Sequence, residues 1–220
     1  MKKAFTLAEV LITLGIIGVV AALTAPALTS NTQQAKIGPT LSKFVSTFEN
    51  ATESLMNEEG SNTIGGLGVD GSSGTSIGDF LPNYMIMDRV TSDSFSKLSS
   101  YKVNGENLAG RAQSVPYYIL KDGGLVRFGE TLHSVASDRT PTSRICRVDY
   151  DINGVAGPNR FGRDVFSFYL LNNGRLYAYG SAAYKALWPN DSNSCNVNGT
   201  AAQGRACTGA IADNNWKADY

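Results

Sequence analysis

Lys2-Lys3-Ala4-Phe5-Thr6-Leu7-Ala8-Glu9, followed by the uncharged apolar run Val10 to Ala25, is the stretch on which the fold turns. Two lysines ahead of an apolar run give the charge order of an exported or membrane-inserted N-terminus whose start stays on the cytoplasmic side. Glu9 stands at the head of that run, between Ala8 and Val10. A lone carboxylate at membrane depth costs about 2–4 kcal/mol on insertion scales, so it marks a functional position. An ordinary secretory signal has no use for it.

Downstream, Ile37, Leu41, Phe44, Val45, Phe48, Leu55 and Met56 recur at near-helical spacing, with Lys36, Lys43, Glu49 and Glu53 between them. The chain passes from a helix that is apolar all round (5–28) to an amphipathic one (29–57), as a membrane span followed by a core-facing helix would. A continuous helix from Phe5 to Asn57 would be about 80 Å long. Pro26 and Gly38-Pro39 are expected to kink or interrupt it. Residues 58–78, with Gly65-Gly66 and Gly71-Ser72-Ser73-Gly74, read as a Gly/Ser-rich loop. A short helix is expected between Asp79 and Met87.

The rest, 79–220, reads as antiparallel strands. Tyr101 to Val103 is a short strand ending in Asn104-Gly105. Tyr117–Leu120 and Leu125–Phe128 flank Lys121-Asp122-Gly123-Gly124, and Val165–Leu171 and Arg175–Tyr179 flank Asn172-Asn173-Gly174; both are hairpin signals. Arg144 to Tyr150 is a further strand. The expected class is α+β: a long bent N-terminal helix packed on a small antiparallel β-sheet.

The chain has 220 residues, enough for one domain plus an anchor. Its formal net charge is zero, which removes any broad electrostatic case for a nucleic-acid partner. No phosphate-binding loop, HExxH or G-x-S-x-G is present. The one histidine, His133, lies in a polar segment beside Ser134, so no catalytic site is expected. Of three cysteines, Cys195 and Cys207 are close enough in an exported chain to pair as a disulfide that closes a C-terminal loop, leaving Cys146 over. Asp149-x-Asp151-x-Asn153-Gly154 matches the first half of a calcium loop, with Asp164 the nearest later acid to complete a Ca²⁺ shell. The second half is missing, because the twelfth position is Arg160. A plain Asn-Gly turn with solvated acids reads the same residues equally well.

The N-terminal residues resemble the prepilin signal of type IV pilins and of the pilin-like proteins of type II secretion systems. Lys2-Lys3, the small Ala4, Phe5-Thr6-Leu7-x-Glu9 and the apolar run with Gly18 and Pro26 carry that resemblance. It implies cleavage by a prepilin peptidase between Ala4 and Phe5, methylation of the new Phe5 amine, and an assembly role for Phe5 and Glu9. The family usually has Gly before the cut, where this chain has Ala4. The resemblance further implies a single-pass protein of the bacterial inner membrane, its C-terminal domain extracytoplasmic. Its partners would be other pilin or pseudopilin subunits and an assembly platform, in a filament reaching the cell surface. Asp151-x-Asn153-Gly154 through Gly157-Pro158-Asn159 also looks like a stretch found in some pilin-like proteins. The alternative is a soluble, Sec-exported binding or adhesive domain, with a signal cleaved after Ala27 at Ala25-Pro26-Ala27.

Overall fold

The computed structural model describes residues 6–67, 77–85, 87–89, 102–103, 106–107, 117–129, 140–154, 156 and 159–219, with backbone alone at 25–33, 87, 89, 102–103, 106–107 and 201. Ala4 and Phe5, the glycines from 68 to 76, the turn at 104–105, His133 and the Gly157-Pro158 pair lie outside these residues.

One helix, α1 (Leu7–Glu58), runs for 52 residues, about 78 Å at the standard rise. Neither Pro26 nor Gly38-Pro39 interrupts it. Each proline removes one backbone donor, and the turns on either side stay helical. Thr6 starts the helix through a capping box. The Thr6 hydroxyl accepts the Glu9 N–H at 3.3 Å, and the Glu9 carboxylate accepts the Thr6 N–H at 2.8 Å.

The second half of α1 buries Ile37, Leu41, Phe44, Phe48, Ala51 and Leu55, a stripe at helical spacing. It lies on a six-stranded, wholly antiparallel sheet formed by β1 (Met87–Arg89), β4 (Tyr117–Leu120), β5 (Leu125–Gly129), β6 (Arg144–Asp151), β7 (Val165–Leu171) and β8 (Leu176–Ala178), in that spatial order. A separate pair, β2 (Lys102–Val103) and β3 (Glu106–Asn107), makes a two-stranded ribbon. Side chains alternate across the sheet, so Val126, Phe128, Val148, Tyr150, Phe166, Phe168 and Leu170 share the face toward α1. Phe44 stacks on Tyr150 with ring centroids 4.1 Å apart and 5° between planes, and Phe48 sits 6.0 Å from Phe128. Rings of this size dominate core energetics.

Polar contacts fix the register of α1 on the sheet. Glu49 accepts the Leu176 N–H at 3.0 Å, and the Thr52 hydroxyl donates to the Gly174 carbonyl at 2.8 Å. Gly174 has φ +81°, and a Cβ there would lie 2.7 Å from the Met56 methyl, so this turn requires glycine.

The helix expected at 79–87 is shorter. It occupies Ile77–Phe80 (α2), a 3-10 turn follows at Leu81–Asn83, and the chain is already strand β1 at Met87. Two further helices, α3 (Ala182–Leu187) and α4 (Ala201–Asp213), lie within 79–220, where strands and a C-terminal Cys loop are expected. α4 covers the edge of β7 beyond the end of β8, and its Thr208 hydroxyl accepts the Ser167 N–H at 2.9 Å. The turn after α4 then lays the Trp216 carbonyl on Gly38 of α1. A Cβ on Gly38 would fall 1.6 Å from that oxygen.

Candidate functional site

The N-terminal third of α1 touches nothing. Leu7–Thr24 is long and apolar enough to cross a membrane, and none of it is buried. Leu11, Ile12, Ile16, Ile17 and Val19 are each about 60% exposed and point in all directions around the axis. An exposed apolar surface of this length is compatible with a membrane anchor or a signal sequence. Glu9 stands at its start with one carboxylate oxygen accepting both the N–H and the hydroxyl of Thr6, at 2.8 and 2.9 Å. This cap adds Thr6 to the residues that matter here. Thr6-x-x-Glu9 spells it in the sequence.

The four residues read as a calcium set do not form one oxygen shell. Asp149 lies on the sheet face away from α1, in register with Arg127 of β5 and Ser167 of β7. Its carboxylate accepts from Arg127 at 2.6 Å, from Arg147 at 3.0 Å and from the Ser167 hydroxyl at 2.6 Å. All four residues are buried. Burial alone would raise the Asp149 pKa. The Arg147 and Arg127 guanidiniums and the Ser167 hydroxyl outweigh it and hold the carboxyl well below its usual range. A carboxylate so committed is not free for a cation.

Asp151, Asn153 and Asp164 do meet, in the β6–β7 connection, but as the fastening of a turn. Asp151 accepts the Asn153 N–H at 3.1 Å, and Gly154 follows at φ +67°. The two Asp164 oxygens accept the Asn159 and Arg160 N–H groups at 2.7 and 2.6 Å, and Asn153 adds a side-chain bond. The Asn159 amide, oriented with its nitrogen toward Asp151, donates to that carboxylate at 3.3 Å and to the Ala156 carbonyl at 2.6 Å. Here burial outweighs these bonds and raises the Asp164 pKa. Between Asp149 and Asp151 there is a void of about 10 Å³, shared with Arg127 and otherwise walled by apolar groups such as Leu125, Phe161 and Val165. Its wall offers only the Asp149, Asp151 and Tyr117 side-chain oxygens beside the Arg127 cation, short of the about 6–8 oxygens Ca²⁺ takes. Among the described residues no group of three or more His, Cys, Asp or Glu is placed to hold a metal.

Cys195 and Cys207 are bonded, closing a separation of 12 residues and tying the loop before α4 to its buried second turn. Cys146 is free and fully buried on the α1 side of β6, and burial pushes its thiol up to about 12. It is inert packing rather than a nucleophile.

No protein-family model, no curated protein and no solved structure matches this chain.

Proposed function

We propose that the chain is a pilin-like structural subunit, cut by a prepilin peptidase before Phe5 and assembled through α1 into a type IV pilus or a type II secretion pseudopilus. The observation that carries this reading is the position of Glu9. It is the one ionisable residue of the apolar run, at the head of a wholly exposed helix that continues without a break into the spine of an α+β domain. Cleavage would place a cationic amine on Phe5, one helical turn before Glu9. In a bundle of parallel helices, Glu9 of one subunit lies beside the Phe5 amine of the next. Each charge then offsets the other's desolvation cost and sets the register. The uninterrupted helix through residues 27 and 28 favours this over a signal cleaved after Ala27, which would cut α1 in mid-course.

Mass spectrometry of the mature chain is the direct test. The expected N-terminus is methylated Phe5, and a chain beginning at Leu28 would reject the proposal. Two substitutions separate the roles of Glu9. Glu9→Gln keeps an acceptor for the Thr6 cap but carries no charge, so membrane insertion should persist while filament yield falls sharply. Thr6→Ala loses a cap worth about 1 kcal/mol and keeps the charge, so assembly should weaken far less. Equal yields from Glu9→Gln and the natural chain would refute the pairing.

A further inference from the structure

Beyond the filament reading, and independent of it, the face of the sheet away from α1 carries a small second core of aromatic residues with an arginine laid on it. Tyr169, Tyr179, Tyr184 and Trp188 pack together at ring separations of 4.9–6.4 Å. The Arg144 guanidinium lies over the Tyr169 ring at 5.1 Å and over the Trp188 ring at 4.7 Å. Its one hydrogen bond is long, 3.5 Å to the Tyr184 hydroxyl. Among the described residues it pairs with no carboxylate. A guanidinium has five N–H donors in a fixed fork, so the rings hold this one in place while nearly all its donors stay unspent. The nearest acid, Asp191, is already bonded by the Tyr179 and Tyr184 hydroxyls and by Asn193.

Arg144 opens onto a groove of about 550 Å³, bounded by Tyr184, Trp188 and the loop that carries Asn190, Asp191, Ser192 and Asn193, in which the Asp191 carboxylate is held by the two tyrosine hydroxyls and Asn193. That volume falls within the usual range for a small-ligand site. A stacked, immobile arginine matches the two oxygens of a carboxylate bidentately and loses little entropy in doing so. The loop adds the Asn190 amide and the Ser192 hydroxyl, both exposed and both able to donate and accept, which suits a ligand rich in hydroxyl groups. Trp188 supplies an apolar edge for a sugar ring. We propose that this groove binds a carboxylated saccharide, of the size of one or two uronic acid residues, with Arg144 holding the carboxylate and residues 190–193 the hydroxyls.

The test uses the full chain in detergent micelles, titrated with digalacturonate, galactose and sodium acetate, and followed by calorimetry and ligand-observed NMR. Digalacturonate should bind saturably and at least about tenfold more tightly than galactose or acetate. Arg144→Lys should weaken that binding by a similar factor at an unchanged melting temperature, since a lysine cannot form the fork. If Arg144→Lys unfolds, the exposed pair Asn190→Ala and Ser192→Ala should weaken binding in its place. No saturable binding of digalacturonate overturns the proposal. Binding no tighter than that of acetate or galactose overturns it too, as does affinity unaffected in a folded variant.

Discussion

Asp149 is the residue on which the outer face of the sheet depends. Asp149→Asn would leave Arg127 and Arg147 facing each other in the interior with their shared counter-charge gone. Breaking one member of a buried ion cluster costs about 3–5 kcal/mol, readable as a lower urea midpoint. The pH dependence follows from the lowered pKa. The stabilisation is complete above the usual carboxylate range, near about 4, and is lost as pH falls through the folded value. The stability gap between natural chain and variant should therefore begin to narrow below about pH 4 and keep narrowing as the pH falls further. Asp164, whose pKa is raised, contributes with the opposite sign and softens the acid limb of both equally. Gly38→Ala should cost about 1–3 kcal/mol, the usual range for overpacking, because its methyl must displace the Trp216 carbonyl. None of this was legible residue by residue. Asp149 and Asp151 alternate as calcium ligands do, and only the strand register brings Arg127 and Ser167 to Asp149. Thr6-x-x-Glu9 was legible as a capping box, being local.

At the scale of elements, the two hairpins around Asp122-Gly123 and Asn173-Gly174 follow from turn chemistry alone, and β4, β5, β7 and β8 fall where that chemistry puts them. The stripe from Ile37 to Leu55 equally fixes the buried face of α1. Helix α4 was hidden because Gly204 and Gly209 interrupt its pattern. Its Thr200–Gln203 capping box was the available signal. Strand β1 is three residues long and exists because β4 offers it an open edge, which no local pattern records. Reducing the Cys195–Cys207 bond should cost about 3 kcal/mol in chain-entropy terms. It should also speed amide exchange at Ser167, whose N–H is held by the neighbouring Thr208. The β6–β7 connection, fastened by its own acids, should show no change of melting temperature in millimolar Ca²⁺. A rise abolished by Asp151→Ala would restore the metal reading.

At the scale of the molecule, the chain divides into a part with a core and a part without one. A chain beginning at Ser30 should be soluble without detergent and melt within a few degrees of the full chain, because residues 6–24 bury nothing. Thermal melts followed by near-ultraviolet circular dichroism would check this, and loss of the cooperative transition would count against it. Both parts share one rod, and the rod is keyed. Phe44 and Phe48 are seated among sheet rings, with Phe44 only 4.1 Å from Tyr150, and the Trp216 carbonyl bears on Gly38 like a pawl. Axial load applied to the exposed end therefore arrives at the domain as shear across aromatic rings. Such a seat is expected to hold up to a threshold force and then to release, which single-molecule pulling would show.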